Sequence, residues 1–102
     1  MVLISLLISV AFAAVPPRTE AMLVRLESLR VNPNDLAPFV ADENSEVRAR
    51  AALSLGRIRD ARAVDSLSML LGDEDPAVRS AAIHALGQLP GTGRYLLKRL
   101  SV

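Results

Sequence analysis

Arg48 and Arg79 are placed to do chemistry on an anion, because each guanidinium stands six residues after an aspartate, Asp42 and Asp73. A guanidinium presents a planar fork of N–H donors that matches a carboxylate, so the pattern has two readings. The arginines can be anion-binding groups on successive helices, or they can bond across a boundary between repeated units to Asp42 and Asp73 and set the packing register. The second is the expectation, since arginine at a bidentate carboxylate site is a common structural device. A second constellation follows from helical spacing. With Val47 and Leu55 turned to a core, Glu46, Arg50, Leu53 and Arg57 fall on the opposite side, and the same places further along hold Ala77, Ala81, His84 and Gln88. An exposed Leu53 beside Arg50 and Arg57, with His84 as neighbour, suits a surface that anchors a peptide or protein by mixed apolar and charged contacts. The candidate protein-binding residues are therefore Glu46, Arg50, Leu53, Arg57, His84 and Gln88. The alternative is that Leu53 is shielded by the adjoining helix and His84 merely faces solvent.

Catalysis finds little support. The chain has one histidine and no cysteine, and it has no glycine-rich loop after a strand and no His-x-x-x-His or carboxylate cluster at metal-ligand spacing. The expectation is a non-enzymatic protein with no cofactor and no metal. The acidic turns Asp42-Glu43 and Asp73-Glu74-Asp75 sit at helix starts, where negative charge is favourable in any case.

These residues are positioned by a repeat. Asp42, Glu43, Val47, Arg48, Ala51, Leu55 and Gly56 return as Asp73, Glu74, Val78, Arg79, Ala82, Leu86 and Gly87 at one common offset of 31 residues. A fixed period of this size, with helical spacing inside each copy, marks a stack of units that bury their apolar faces only against neighbours. The composition agrees. Half the residues are apolar but only 3% are aromatic, so the core must be built from Leu, Ala, Val and Ile. A net charge of +1 with interspersed signs argues against a nucleic-acid partner, which would call for a markedly basic face.

Along the chain, Val15-Pro16-Pro17 reads as a joint, and residues 19–30 as an amphipathic helix. Its apolar stripe would be Met22, Leu26 and Leu29 with Leu23 beside them, and Glu20, Arg25, Glu27 and Arg30 would take the other side. A short helix follows over residues 35–41. If Asn34 caps it, Pro38 lies harmlessly in the first turn, whereas a start at Pro33 would make Pro38 a break. The next helix has Asn44 as cap and Val47, Ala51, Leu55 and Ile58 as core stripe. Asp60 can cap a helix through Val64, Leu67, Leu70 and Leu71 that Gly72 stops. Asp75-Pro76 opens the copy, with Val78, Ala82, Leu86 and Leu89 as its stripe, and residues 94–100 make a last amphipathic helix. Six helices and no strand are expected. Ala49, Ala51, Ala52, Gly56, Ala81, Ala82, Ala85 and Gly87 would let them approach closely.

Residues 2–14 are apolar or small, too short to span a bilayer, and Ala11-Phe12-Ala13 supplies the small residues a signal peptidase reads. The expectation is a signal peptide over residues 1–13, cleaved after Ala13, which gives a periplasmic or secreted protein. An uncleaved anchor formed by residues 1–14, a soluble apolar helix, or a wrongly assigned start codon are the alternatives, and no Lys or Arg precedes the apolar run. At the other end, Arg94, Lys98 and Arg99 beside Tyr95, Leu96, Leu97 and Leu100 allow contact with an anionic membrane. The preferred reading is the first half of an unfinished repeat, whose uncovered apolar side would join two copies or dock on a larger partner.

The string GDEDPAVRSAAIHALGQL over residues 72–89 resembles a HEAT repeat of the short bacterial kind, the sort also found in phycobilisome-lyase-like proteins. Asp42, Val47 and Arg48, and again Asp73, Val78 and Arg79, match the Asp, Val and Arg that mark such repeats. The resemblance covers two full units over residues 34–89, with half-units on either side. It departs in the first helix of each unit, where the second lacks the expected proline and Pro38 of the first lies out of register. The resemblance implies an all-α, right-handed solenoid of antiparallel helix pairs, with the second helix of each pair lining a concave surface. Residues 14–31 would form a linker and capping helix, and the repeats would occupy residues 32–58, 60–89 and, in part, 91–102. It further implies a non-catalytic protein-interaction scaffold, or alternatively an accessory subunit of an enzyme such as a chromophore lyase-like helper.

Overall fold

A computed structural model describes residues 15–91. The expectations for the signal peptide at residues 1–13 and for the last helix at residues 94–100, with its membrane contact and its dimer, lie outside the described residues. Within them the chain is all helical: α1 (Pro17–Leu29), a 3-10 turn (Pro33–Leu36), α2 (Ala37–Val40), α3 (Ser45–Ile58), a 3-10 turn (Ala61–Ala63), α4 (Val64–Leu70) and α5 (Pro76–Gln88). There is no strand among the described residues.

The helix starts follow from side-chain caps. Asn44 Oδ1 accepts the Glu46 N–H at 2.9 Å, and Asp75 Oδ1 accepts that of Ala77 at 2.8 Å, each satisfying a donor that has no partner within its helix. Asp60 does the same for Arg62. Pro16 and Pro17 open α1, where a missing N–H costs nothing. The first short helix corrects its expectation. Its cap is Asn32, not Asn34, so the turn begins at Pro33. Pro38 has no N–H to give, and the segment accordingly splits into a 3-10 turn and the four residues of α2. The stops are also local. Arg30 and Arg59 adopt the left-handed conformation with φ of 48° and 59°, and end α1 and α3 without a glycine. Gly72 follows α4, but its φ is not positive, and the helix ends instead through N–H bonds of Leu71, Gly72 and Asp73 to carbonyls three residues back.

Packing runs from one repeat to the next. The stripes Val47, Ala51, Leu55, Ile58 and Val78, Ala82, Leu86, Leu89 are all buried, and with Leu23, Leu36, Ala63, Leu67 and Leu70 they supply most of the core. Among the described residues the contact of α3 with α5 is the most extensive. It depends on Gly56, because a Cβ there would lie 2.9 Å from Ala85 Cα and closer still to the Gln88 side chain. The first helix is turned differently from the expectation. Leu23 is its one fully buried residue, Met22 and Leu29 are 54% and 65% exposed, and Glu20 and Glu27 face inward. The reason lies on α3.

Candidate functional site

Two polar constellations tie the stack together. In the first, Arg48 Nε and Nη2 donate to the two Asp73 carboxylate oxygens at 2.8 and 3.0 Å, across the repeat boundary. Its third nitrogen, Nη1, donates to the carbonyls of Asp42 and Glu43 at 2.9 and 3.1 Å, within its own repeat. Both side chains are nearly buried, 11% and 9% exposed. The Asp73 carboxylate also accepts the Asp75 N–H at 2.9 Å, just as Asp42 accepts that of Asn44. The Arg48 bonds, followed by that N–H, hold the Asp73 pKa below its ordinary value, and Asp73 in turn raises that of Arg48. The Ser45 hydroxyl, bonded to the Asp75 carboxylate, adds a further link across the boundary and is the main cause of a lowered Asp75 pKa. Pairing across the boundary was expected, but its pattern is finer. The carboxylate of the following unit is taken by the arginine of the preceding one, while Arg79 bonds the Asp73 carbonyl of its own unit at 2.6 Å.

The second constellation corrects the expected binding patch. Arg50 is buried, 6% exposed, because its place on α3 faces α1 rather than solvent. Its Nε donates to both Glu20 oxygens at 2.9 Å, and its Nη1 donates to Glu27 Oε1 at 2.6 Å and to Ser54 Oγ at 2.8 Å. Ser54 passes a hydrogen bond on to Glu27 at 2.6 Å. Burial pushes the Glu27 carboxyl up, but the bonds from Ser54 and Arg50 outweigh it and the pKa lies below the ordinary value. Among the described residues no buried side-chain polar atom lacks a partner. Arg50 thus fastens α1 to α3 and is spent there. Sequence reasoning missed Glu20, Glu27 and Ser54, although a signal existed: Glu20 and Glu27 are seven apart on one helix face, and Arg50 and Ser54 are four apart on another.

The remaining patch residues lie where α3 and α5 turn away from the core. Glu46, Arg57 and His84 are exposed, and Leu53 and Gln88 are half-buried. Leu53 and His84 occupy equivalent places one repeat apart, as do Arg57 and Gln88. Arg57 Nη1 reaches Glu27 Oε2 only at 3.4 Å with 57% of its side chain exposed, so it is loosely held. Among the described residues, no group of three His, Asp or Glu side chains is placed to hold a metal ion, and no helix is long and apolar enough to cross a membrane.

Helix pairs stacked at a fixed period and fastened by an arginine that reaches into the next unit define a small α-solenoid. The family model for HEAT repeats matches residues 33–100, two thirds of the chain, and the protein belongs to the HEAT-repeat family. No curated protein and no solved structure matches the chain.

Proposed function

We propose that this protein is a non-catalytic interaction module that takes a protein or peptide on the free face of α3 and α5, through Glu46, Leu53, Arg57, His84 and Gln88. The observation that carries the reading is the division of labour among the polar residues. Arg48, Arg50, Asp73, Glu20 and Glu27 are committed to holding helices together, whereas Arg57 is held only loosely, by Glu27 at 3.4 Å, and stands exposed with His84 on the face that carries the half-buried Leu53. An apolar centre with a polar rim suits recognition of another chain. We further take the module to be exported, on the strength of the apolar run at residues 2–14 and the Ala11-Phe12-Ala13 motif. Intact mass of the protein from native cells tests this part, and retention of residues 1–13 would refute it.

The binding face is tested with Arg57→Glu combined with His84→Glu, both at exposed positions that leave the core untouched. Affinity isolation from the native cell envelope should enrich a protein with the wild type and lose it with the variant, while circular dichroism shows equal helicity. A partner retained by the variant would remove this face from consideration. A coloured or lipidic ligand copurifying in place of a protein would favour the second reading, the enzyme-accessory role that rests on the phycobilisome-lyase-like resemblance.

A further inference from the structure

The two inner helices are copies, and one shows what the other is built to receive. On α3, Arg48, Ala52 and Gly56 form the side that meets the next repeat: Arg48 grips Asp73, Ala52 is fully buried, and Gly56 has Ala85 against it. One period later the same places on α5 hold Arg79, Ile83 and Gly87. There the neighbours are missing among the described residues. Ile83 is 62% exposed, and nothing lies within 4 Å of a Cβ built on Gly87. The parallel extends to single atoms. Arg48 Nη1 bonds the Asp42 carbonyl at 2.9 Å and Arg79 Nη1 bonds the Asp73 carbonyl at 2.6 Å, so both guanidiniums are anchored by the same nitrogen to the same turn. In Arg48 the Nε and Nη2 edge then takes a carboxylate, while among the described residues no carboxylate is bonded to that edge of Arg79.

We propose that Arg79, Ile83 and Gly87 form a docking face for a helix of another polypeptide, one entered through an acidic turn whose aspartate pairs with Arg79 and whose small residues seat against Gly87. The charge selects this occupant. A second copy of the chain docking by its opposite end would offer Met22, Arg25 and Leu29 from the outer side of α1, and the acids of that helix, Glu20 and Glu27, are already held by Arg50. An aspartate-headed helix supplies what Arg79 has room for, in the geometry that Asp73 and α5 present to Arg48 and α3. The face is separate from the one under Proposed function, so either can fail alone.

The test is a titration of the isotope-labelled full chain with a peptide of the sequence of residues 61–91, which carries the Asp73 turn and the α5 helix. Saturable shifts are expected at the Ile83 and Gly87 amides and at the Arg79 Nε–H. A peptide bearing Asp73→Asn should bind about tenfold more weakly, the loss of one charge-assisted contact. The chain variant Gly87→Leu, whose Cβ meets no atom within 4 Å, should not bind, with circular dichroism showing equal helicity. Absence of saturable shifts at these positions overturns the proposal, whether residues 92–102 of the chain hold the face themselves or nothing does. Equal binding of the Asn peptide, unchanged binding by Gly87→Leu, or the same shifts appearing on self-association without peptide would overturn it as well.

Discussion

Arg48 holds the Asp73 carboxylate with two nitrogens and the Asp42 carbonyl with the third, so a single side chain fixes the turns of two repeats at one spacing. The arrangement leaves little slack, because moving either turn breaks at least one charge-assisted bond. Arg48→Ala should lower stability by about 1–3 kcal/mol, the cost of leaving a hydrogen-bonded charge unpartnered. Arg48→Lys should recover only part of it, since an ammonium cannot span the fork. Chemical denaturation of the three proteins checks both values, and a wild-type midpoint in Arg48→Ala would show that the arginine does not carry the register.

The buried Arg50 makes a different prediction. Removing it strands Glu27, which is 13% exposed, beside Ser54, while Glu20 at 37% exposed recovers solvent. Arg50→Ala should cost about 2–3 kcal/mol, below the full penalty for breaking a buried ion pair because Glu20 stays partly wet. Hydrogen exchange should locate the loss in α1. The exposed Arg57→Ala should change stability by less than about 0.5 kcal/mol.

Two glycines at equivalent places should respond with opposite sign. Gly56→Ala puts a methyl 2.9 Å from the Ala85 backbone and should destabilise by about 1–3 kcal/mol through overpacking. Gly87→Ala meets nothing within 4 Å and should stabilise by about 0.5–1 kcal/mol through helix propensity. Thermal melts of the pair decide it, and a shared sign would contradict the packing described here.

Acid should weaken the fold in a defined window. Glu27 and Asp73 both have lowered pKa values, so the stability they add is complete above their ordinary values of 4.5 and 3.8 and is lost as the pH falls through the lower folded values. Denaturation midpoints should be flat toward neutral pH and drop below about pH 4. Asp73→Asn should start less stable at neutral pH and show a shallower acid limb.

The core was legible in the sequence because apolar residues at helical spacing had one way to be buried, and the caps were legible because Asn44 and Asp75 stand two residues before the N–H they satisfy. The repeat followed from the common offset of 31 residues, and its HEAT type from the resemblance carried by residues 72–89. What misled was the rule that charges face water. It turned Met22 and Leu29 inward and Glu20 and Glu27 outward, whereas the acids are drawn in by Arg50. Comparison within the repeat held a warning: Arg50 stands where the second copy has the apolar Ala81, which is partly buried against the core, so a charge there requires its own counter-ions. The left-handed Arg30 and Arg59 carried no such sign, since neither is a residue type that favours that conformation.

The inner helices run unbroken for 14 and 13 residues, while the outer ones are 3-10 turns followed by α-helices of 4 and 7 residues. Helical rigidity comes from consecutive bonds between residues four apart, and the outer layer has few of them. The stack is therefore stiff along α3 and α5 and compliant along the short outer segments. Load on the inner face should be absorbed by the back of the stack, much as a bow bends while its string stays straight, and amide exchange should be faster in residues 33–40 and 61–70 than in α3 and α5.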